Sequence, residues 1–265
     1  ASKAVAITVT NVNEAPSVTS GGTASFAENG TGNVYTATGS DPDAGSTLSY
    51  SISGTDAALF NVDSTTGVVT FKTAPDFESP QDAGGNNVYD ITVTASDGTL
   101  SANKAVAITV TNVNEVPSVT SGGTASFAEN GTGTVYTATG NDPDAGSTLS
   151  YSISGTDAAL FNVDSTTGAI TFKVSPDFES PQDAGGNNVY DVIVTVSDGA
   201  LNASKAVAIT VTNVNETPSV TSGNTASFAE NGTGTVYTAT GGDPDAGTTL
   251  SYSISGTDAA LFNID

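Results

Sequence analysis

The stretch Ala105-Val106-Ala107-Ile108-Thr109-Val110-Thr111-Asn112-Val113-Asn114-Glu115-Val116-Pro117 decides how the chain is read. Val106, Ile108 and Val110 alternate with small or polar residues, the period of two that turns one face of a β-strand toward a core. The alternation stops at Asn112, and Val116-Pro117 opens a new polar segment, so residues 112–115 read as a joint between two domains. The same joint recurs as Asn11-Val12-Asn13-Glu14-Ala15-Pro16 and as Asn213-Val214-Asn215-Glu216-Thr217-Pro218.

Working outward, Glu28, Glu129 and Glu230 sit in identical Ala-Glu-Asn contexts at a spacing of 101 residues. Residues 15–115 align with 116–216 without a gap and differ at 13 positions, mostly conservative ones such as Val69/Ile170. So close a self-match means an array of copied domains. The expected organisation is the last strand and joint of a preceding repeat over 1–14, whole repeats over 15–115 and 116–216, and the N-terminal part of a further repeat over 217–265. The equivalents of 64–101 in that further repeat occur at neither end, so a window from a longer tandem protein is expected.

Within repeat one the pattern gives seven short strands. Residues 17–26 form a broken first strand (A), ended by the Asn29-Gly30 turn, and 34–38 form strand B, closed by Asp41-Pro42-Asp43-Ala44-Gly45. Leu48, Tyr50 and Ile52 alternate with serines in strand C, and Asp56 is placed to cap one helical turn at Ala57-Ala58. Residues 59–63 and 68–72 form a D–E hairpin around Ser64-Thr65-Thr66-Gly67. After an acidic loop over 75–87, Tyr89, Ile91, Val93 and Ala95 face inward from strand F, and Val106, Ile108 and Val110 from strand G. Seven strands in about 100 residues fit tandem immunoglobulin-like Greek-key β-sandwiches, an all-β fold.

Bulk composition narrows the chemistry. The 265 residues are 37% hydrophobic and only 7% aromatic, which suits thin cores. There are 28 acidic residues against five lysines, a formal charge of -23 that repels nucleic acid and anionic membranes and attracts cations. No stretch approaches a membrane span, and cysteine and histidine are absent. With neither an imidazole base nor a thiol nucleophile, a non-catalytic role is expected.

The acids are not spread evenly. If strands alternate in direction, the loops after A, C, E and G share one pole and those after B, D and F the other. Glu28, Asp76 and Glu78 then gather with Asn112, Asn114 and Glu115 at the exit pole of repeat one, facing Asp142, Asp144 and Asp198 of repeat two. The next joint would use Glu129, Asp177, Glu179, Asn213, Asn215, Glu216, Asp243 and Asp245. Asn11, Asn13, Glu14, Asp41, Asp43 and Asp97 form half of an upstream joint. Each carboxylate pair at ~4 Å costs about 1 kcal/mol in water and more when partly buried, and divalent cations reverse that sign. Oxygen donors on irregular loops, with no nitrogen or sulfur ligand, point to Ca²⁺. Asp56, Asp63, Asp82 and Asp90 are read as turn, cap or solvated surface residues. Asp82 and Asp183 have a second reading as an extra cation site. Asn29, Asn130, Asn231 and Asn202 head glycosylation-like triplets and are read as turn residues.

These residues resemble the cadherin repeat, in particular the bacterial cadherin-like repeats of large secreted proteins. Ala27-Glu28-Asn29 is similar to the family's xEx motif, Asp41-Pro42-Asp43 to its DxD, Asp76-Phe77-Glu78 to its DRE, and Ser96-Asp97-Gly98 to the aspartate of its F–G loop. Asn112-Val113-Asn114-Glu115-Val116-Pro117 is similar to the DxNDNxP linker. It departs by starting with Asn and lacking one residue, so two or three ions per joint are expected. The resemblance implies sandwiches of the cadherin type with calcium stiffening the array. It leads to an extracellular or cell-surface stalk or filament segment of a bacterial adhesin. The alternatives are a module that binds polysaccharide or other copies of itself, and a spacer between catalytic domains.

Overall fold

A computed structural model describes residues 1–265. The chain divides into two compact units, one of residues 1–115 with 143–145 and one of residues 116–142 with 146–265. In the first unit the strands are β1 (Ser17–Val18), β2 (Thr23–Ala27), β3 (Asn33–Thr36), β4 (Gly39–Ser40), β5 (Ser49–Ser53), β6 (Phe60–Val62), β7 (Val68–Phe71), β8 (Val88–Ser96) and β9 (Ser101–Thr111). The alternation predicted for the last two is met: Tyr89, Ile91, Val93 and Ala95 on β8 and Val106, Ile108 and Val110 on β9 are all buried.

Two sheets result. The larger has the order β2-β9-β8-β5 and the smaller β3-β7-β6, while β1 pairs only with β4. The core lies between them, where Tyr89 of β8 meets Phe71 of β7 edge-on at 5.1 Å and Phe60 of β6 at 6.0 Å. Such aromatic packing adds to simple area burial. The architecture is the all-β, immunoglobulin-like sandwich expected from the strand pattern.

One pairing decides which acidic loops can meet. The first strand of the larger sheet, β2, runs parallel to the last, β9, with Ala27 opposite Thr111. Both chains therefore leave the sheet at the same end, and the Glu28 N–H donates to the Thr111 carbonyl at 3.0 Å.

The second unit repeats this arrangement with β10 (Ser118–Val119), β11 (Thr124–Ala128), β12 (Thr134–Thr137), β13 (Gly140–Asn141), β14 (Ser150–Ser154), β15 (Phe161–Val163), β16 (Ala169–Phe172), β17 (Val189–Ser197) and β18 (Asn202–Thr212). Its sheets are β11-β18-β17-β14 and β12-β16-β15, with Ala128 opposite Thr212 in the parallel pair. Residues 217–265 carry β19 (Ser219–Val220) paired with β20 (Gly241–Gly242) and a 3-10 turn at Ala259–Leu261, and Phe228, Tyr252 and Phe262 are exposed.

Residues 1–14 form no strand in this structure. Three sequence expectations need correction. Asp56 precedes a 3-10 turn at Ala57–Leu59 but makes no capping bond. Its side chain instead accepts the Ala83 N–H at 2.8 Å and the Asp90 N–H at 2.7 Å. Asp56 and Asp82 are also not solvated: they are 4% and 6% exposed. Asp82 accepts the N–H groups of Asn86 and Asn87, folding residues 82–87 around itself. Asp183 does the same for Asn187 and Asn188, so both oxygens of each carboxylate serve the loop. Asn202 begins β18 and is not in a turn, whereas Asn29, Asn130 and Asn231 hold left-handed turn backbone.

Candidate metal centre

The parallel β2–β9 pairing places Glu28 beside the segment that continues from β9. Glu28 is buried, and its two oxygens accept the Val113 N–H at 2.7 Å and the Phe77 N–H at 2.8 Å. One side chain thus ties the turn after β2, the loop after β7 and the segment after β9 together. Asn29 adds a main-chain bond from its N–H to the Pro75 carbonyl at 2.8 Å.

Around this tie, Glu28, Glu78 and Glu115 bring carboxylate oxygens within 4.8 Å of one another. Asn112 Nδ2 donates to Glu78 Oε1 at 3.1 Å, and the Glu115 N–H donates to Asp144 Oδ2 at 2.7 Å. Glu78 Oε2 is buried and accepts no hydrogen bond. Burial, followed by the charges of Glu28, Asp144 and Glu115, pushes the Glu78 carboxyl above its usual range, against a weaker opposing main-chain bond. The two lysines of this repeat do not relieve the charge: Lys72 Nζ donates to the Ala58 carbonyl and Lys104 Nζ to that of Ser20. Asp76 stands aside from the trio and accepts the Ser79 N–H, while Asn114 donates to the Glu115 carbonyl.

The second unit contains a fuller version. Glu129 accepts the Val214 and Phe178 N–H groups, each at 2.7 Å. Glu129, Asp177 and Glu179 form one group of carboxylates within 4.8 Å, and Glu179, Glu216 and Asp245 form another. Asn213 Nδ2 donates to Glu179 Oε1 at 2.8 Å and the Glu216 N–H to Asp245 Oδ2 at 2.7 Å. Asp243 accepts the Asp245 N–H, and Asn215 donates to the Glu216 carbonyl. Glu179 Oε2 and Glu216 Oε2 are buried without a hydrogen bond. Burial and then the Glu129 charge raise the Glu179 carboxyl. The Glu216 N–H, followed by the Asn213 amide, lowers that of Asp245.

A third constellation lies at the other pole of the first sandwich. Asn11 Nδ2 reaches Asp43 Oδ1 at 2.5 Å, Asn13 Nδ2 reaches Asp97 Oδ2 at 2.8 Å, and the Glu14 N–H reaches Asp43 Oδ2 at 2.8 Å. Asp41 Oδ1 accepts the Asp43 N–H, and its Oδ2 is buried without a hydrogen bond. The main-chain N–H of Glu14 and then the Asn11 amide hold the Asp43 carboxyl low; Leu100 and Thr99 do so for Asp97. Asp142 and Asp198 belong to the second unit, where Asp198 accepts the Ala200 and Leu201 N–H groups.

An ionised carboxylate can only accept, so a buried oxygen without a donor needs a cation, a proton or water. Three carboxylate oxygens brought together on loops suit a hard divalent cation with irregular coordination. What the motif reading missed is Asn29 and Asn130, whose side chains reach the linker glutamates. Both precede glycine in a tight turn, a visible signal, but their long-range partners cannot be read from spacing.

No family model matches the chain. Over 145 residues, 51% of this chain, it is 30% identical to protocadherin Fat 4 of Mus musculus, of whose length it spans 3%. Among solved structures, mouse cadherin-23 EC22–24 superposes with a TM-score of 0.60 at 21% identity, covering 89% of this chain and 80% of that one. The protocadherin gammaB7 EC3-6 cis-dimer gives 0.52 at 25% identity, covering 74% and 52%. The sandwiches of this chain therefore share the cadherin-type fold of these structures.

Proposed function

We propose that this chain is a calcium-binding segment of an extracellular, adhesion-type protein, in which tandem cadherin-like repeats act as a spacer. The observation that carries this reading is the set of buried oxygens without donors, Glu78 Oε2, Glu179 Oε2 and Glu216 Oε2, each inside a cluster of like charges. Glu28, Glu78, Glu115 and Asp144 would hold the ion in the first unit, and Glu129, Asp177, Glu179, Glu216 and Asp245 in the second. The ion supplies charge neutralisation and a shared ligand for segments otherwise tied only by hydrogen bonds. The repeats take the bounds 15–115 and 116–216, and the setting is a secreted or surface stalk of the bacterial type that the linker resembles.

Extracellular modules of this kind bind calcium with dissociation constants of about 10⁻⁴–10⁻³ M. A ligand present at a hundred times its dissociation constant stabilises the folded state by about 2.7 kcal/mol. Isothermal titration should give saturable calcium binding, with a melting temperature that climbs between EGTA and ~10 mM calcium in step with it. Small-angle scattering should show a longer maximum dimension with calcium than with EGTA. A chain with no calcium heat and an unchanged melting temperature would sink the reading.

A further inference from the structure

Asn29 lies in the turn after β2 with left-handed backbone (φ 58), a conformation that asparagine tolerates better than most residues. Its main chain is pinned by the Pro75 carbonyl. The adjoining Gly30 leaves no room for a side chain, since a Cβ there would sit 2.9 Å from the Ala27 carbonyl oxygen and 3.0 Å from the Phe26 ring. With the backbone held on both sides, the amide has a restricted reach. Its Nδ2 donates to Glu115 Oε1 at 2.9 Å, across 86 residues of sequence.

The second unit builds the same contact independently. Asn130 has φ 57, its N–H donates to the Pro176 carbonyl at 2.8 Å, and Nδ2 donates to Glu216 Oε1 at 2.9 Å. The other oxygen of that glutamate, Oε2, is the buried atom without a donor, and the carboxylate sits within 4.8 Å of Glu179 and Asp245. One oxygen is held and the other is left for something else.

We infer that Asn29 and Asn130 are positioning residues for the linker glutamates. Each fixes one carboxylate oxygen, so that Glu115 and Glu216 present a single, pre-aimed oxygen to the cation. This role rests on the proposed calcium binding. A glutamate has several rotatable bonds, and holding it in place beforehand removes part of the ordering cost from ion binding. Removing partners that orient metal ligands typically weakens affinity by about 10–100-fold.

The test is the double variant Asn29→Gly/Asn130→Gly, because glycine keeps the left-handed backbone and deletes the short side chain that carries the amide. Calcium titration should show affinity about tenfold weaker than wild type, with a melting temperature in EGTA close to wild type; a purely structural role would lower the latter instead. The companion Asn29→Asp/Asn130→Asp places a carboxylate against Glu115 and Glu216. Its melting temperature should fall in EGTA and recover in calcium. If wild type binds calcium and the glycine variant binds it equally well, the positioning role is overturned while the calcium reading stands. If wild type gives no calcium heat, both fall. Should the glycine variant fail to fold, an aspartate variant with wild-type affinity and wild-type melting in EGTA overturns the inference.

Discussion

Asp56 and Glu78 are both carboxylates drawn away from bulk water in the same sandwich, yet they stand in opposite situations. Asp56 has a main-chain donor on each oxygen, Ala83 on one and Asp90 on the other. Glu78 has the Asn112 amide on Oε1 and nothing on Oε2, with Glu28, Asp144 and Glu115 as charged neighbours. The second repeat reproduces both, with Asp157 satisfied by Ala184 and Asp191, and Glu179 left with a bare oxygen. A carboxylate completed by its own fold outside the acidic clusters is part of the architecture. One left incomplete among like charges is a place where the fold depends on something added.

That contrast can be broken most forcefully at the satisfied acid. Asp56→Ala strips acceptors from two main-chain N–H groups, and hydrogen bonds to charged groups are each worth about 1.5–3 kcal/mol. A loss of about 3 kcal/mol or more in urea unfolding is expected, equal in EGTA and in calcium. If calcium erased the loss, Asp56 would belong with the cluster. The opposite substitution, Glu78→Gln, should do the reverse. It removes repulsions of about 1 kcal/mol per close pair, so the variant should melt at or slightly above wild type in EGTA and gain far less than wild type from calcium.

The smallest effect is in pH, and its sign separates the two classes again. Glu78 has a folded-state pKa raised above its ordinary 4.5. In EGTA its ionisation therefore penalises the fold above that raised value, and the penalty is relieved as pH falls through it. Asp63 is held below its ordinary 3.8 by the Thr66 and Thr65 N–H groups. Its contribution is fully present above 3.8 and is lost only as pH falls through the lower folded value. Unfolding curves in EGTA should show the gap between wild type and Glu78→Gln closing on mild acidification. The gap between wild type and Asp63→Asn should survive that and close only in stronger acid.

Much of this organisation is visible in the sequence because it is local. The alternation of Tyr89, Ile91, Val93 and Ala95 predicts β8, and the 101-residue spacing of Glu28 and Glu129 marks the repeat. The rest depends on neighbours. Residues 1–14 and 203–216 are identical in sequence. In the latter, Val207, Ile209 and Val211 are at most 1% exposed within β18, whereas Val5, Ile7 and Val9 are at least 75% exposed in no strand. Strand formation here needs the flanking chains as much as the apolar alternation. The same limit explains Asp56 and Asp82. Nothing adjacent to them in sequence marks burial, because the N–H groups satisfying Asp56 come from 27 and 34 residues away. For Glu78, Glu28 and Glu115, strand direction indicates which end they share, but which oxygen is held by Asn112 or Asn29 is decided by side-chain geometry.

The parallel run of β2 beside β9, with Thr23 opposite Ala107 and Ala27 opposite Thr111, also governs how a repeat would meet tension. The chain enters the larger sheet at one end of this ladder and leaves it at the other. Pulling the termini apart therefore drags the two strands lengthwise past each other, loading their rungs together, whereas a hairpin pulled open surrenders its rungs singly. Resistance to stretching is thereby written into the same strand pair that gathers the acids.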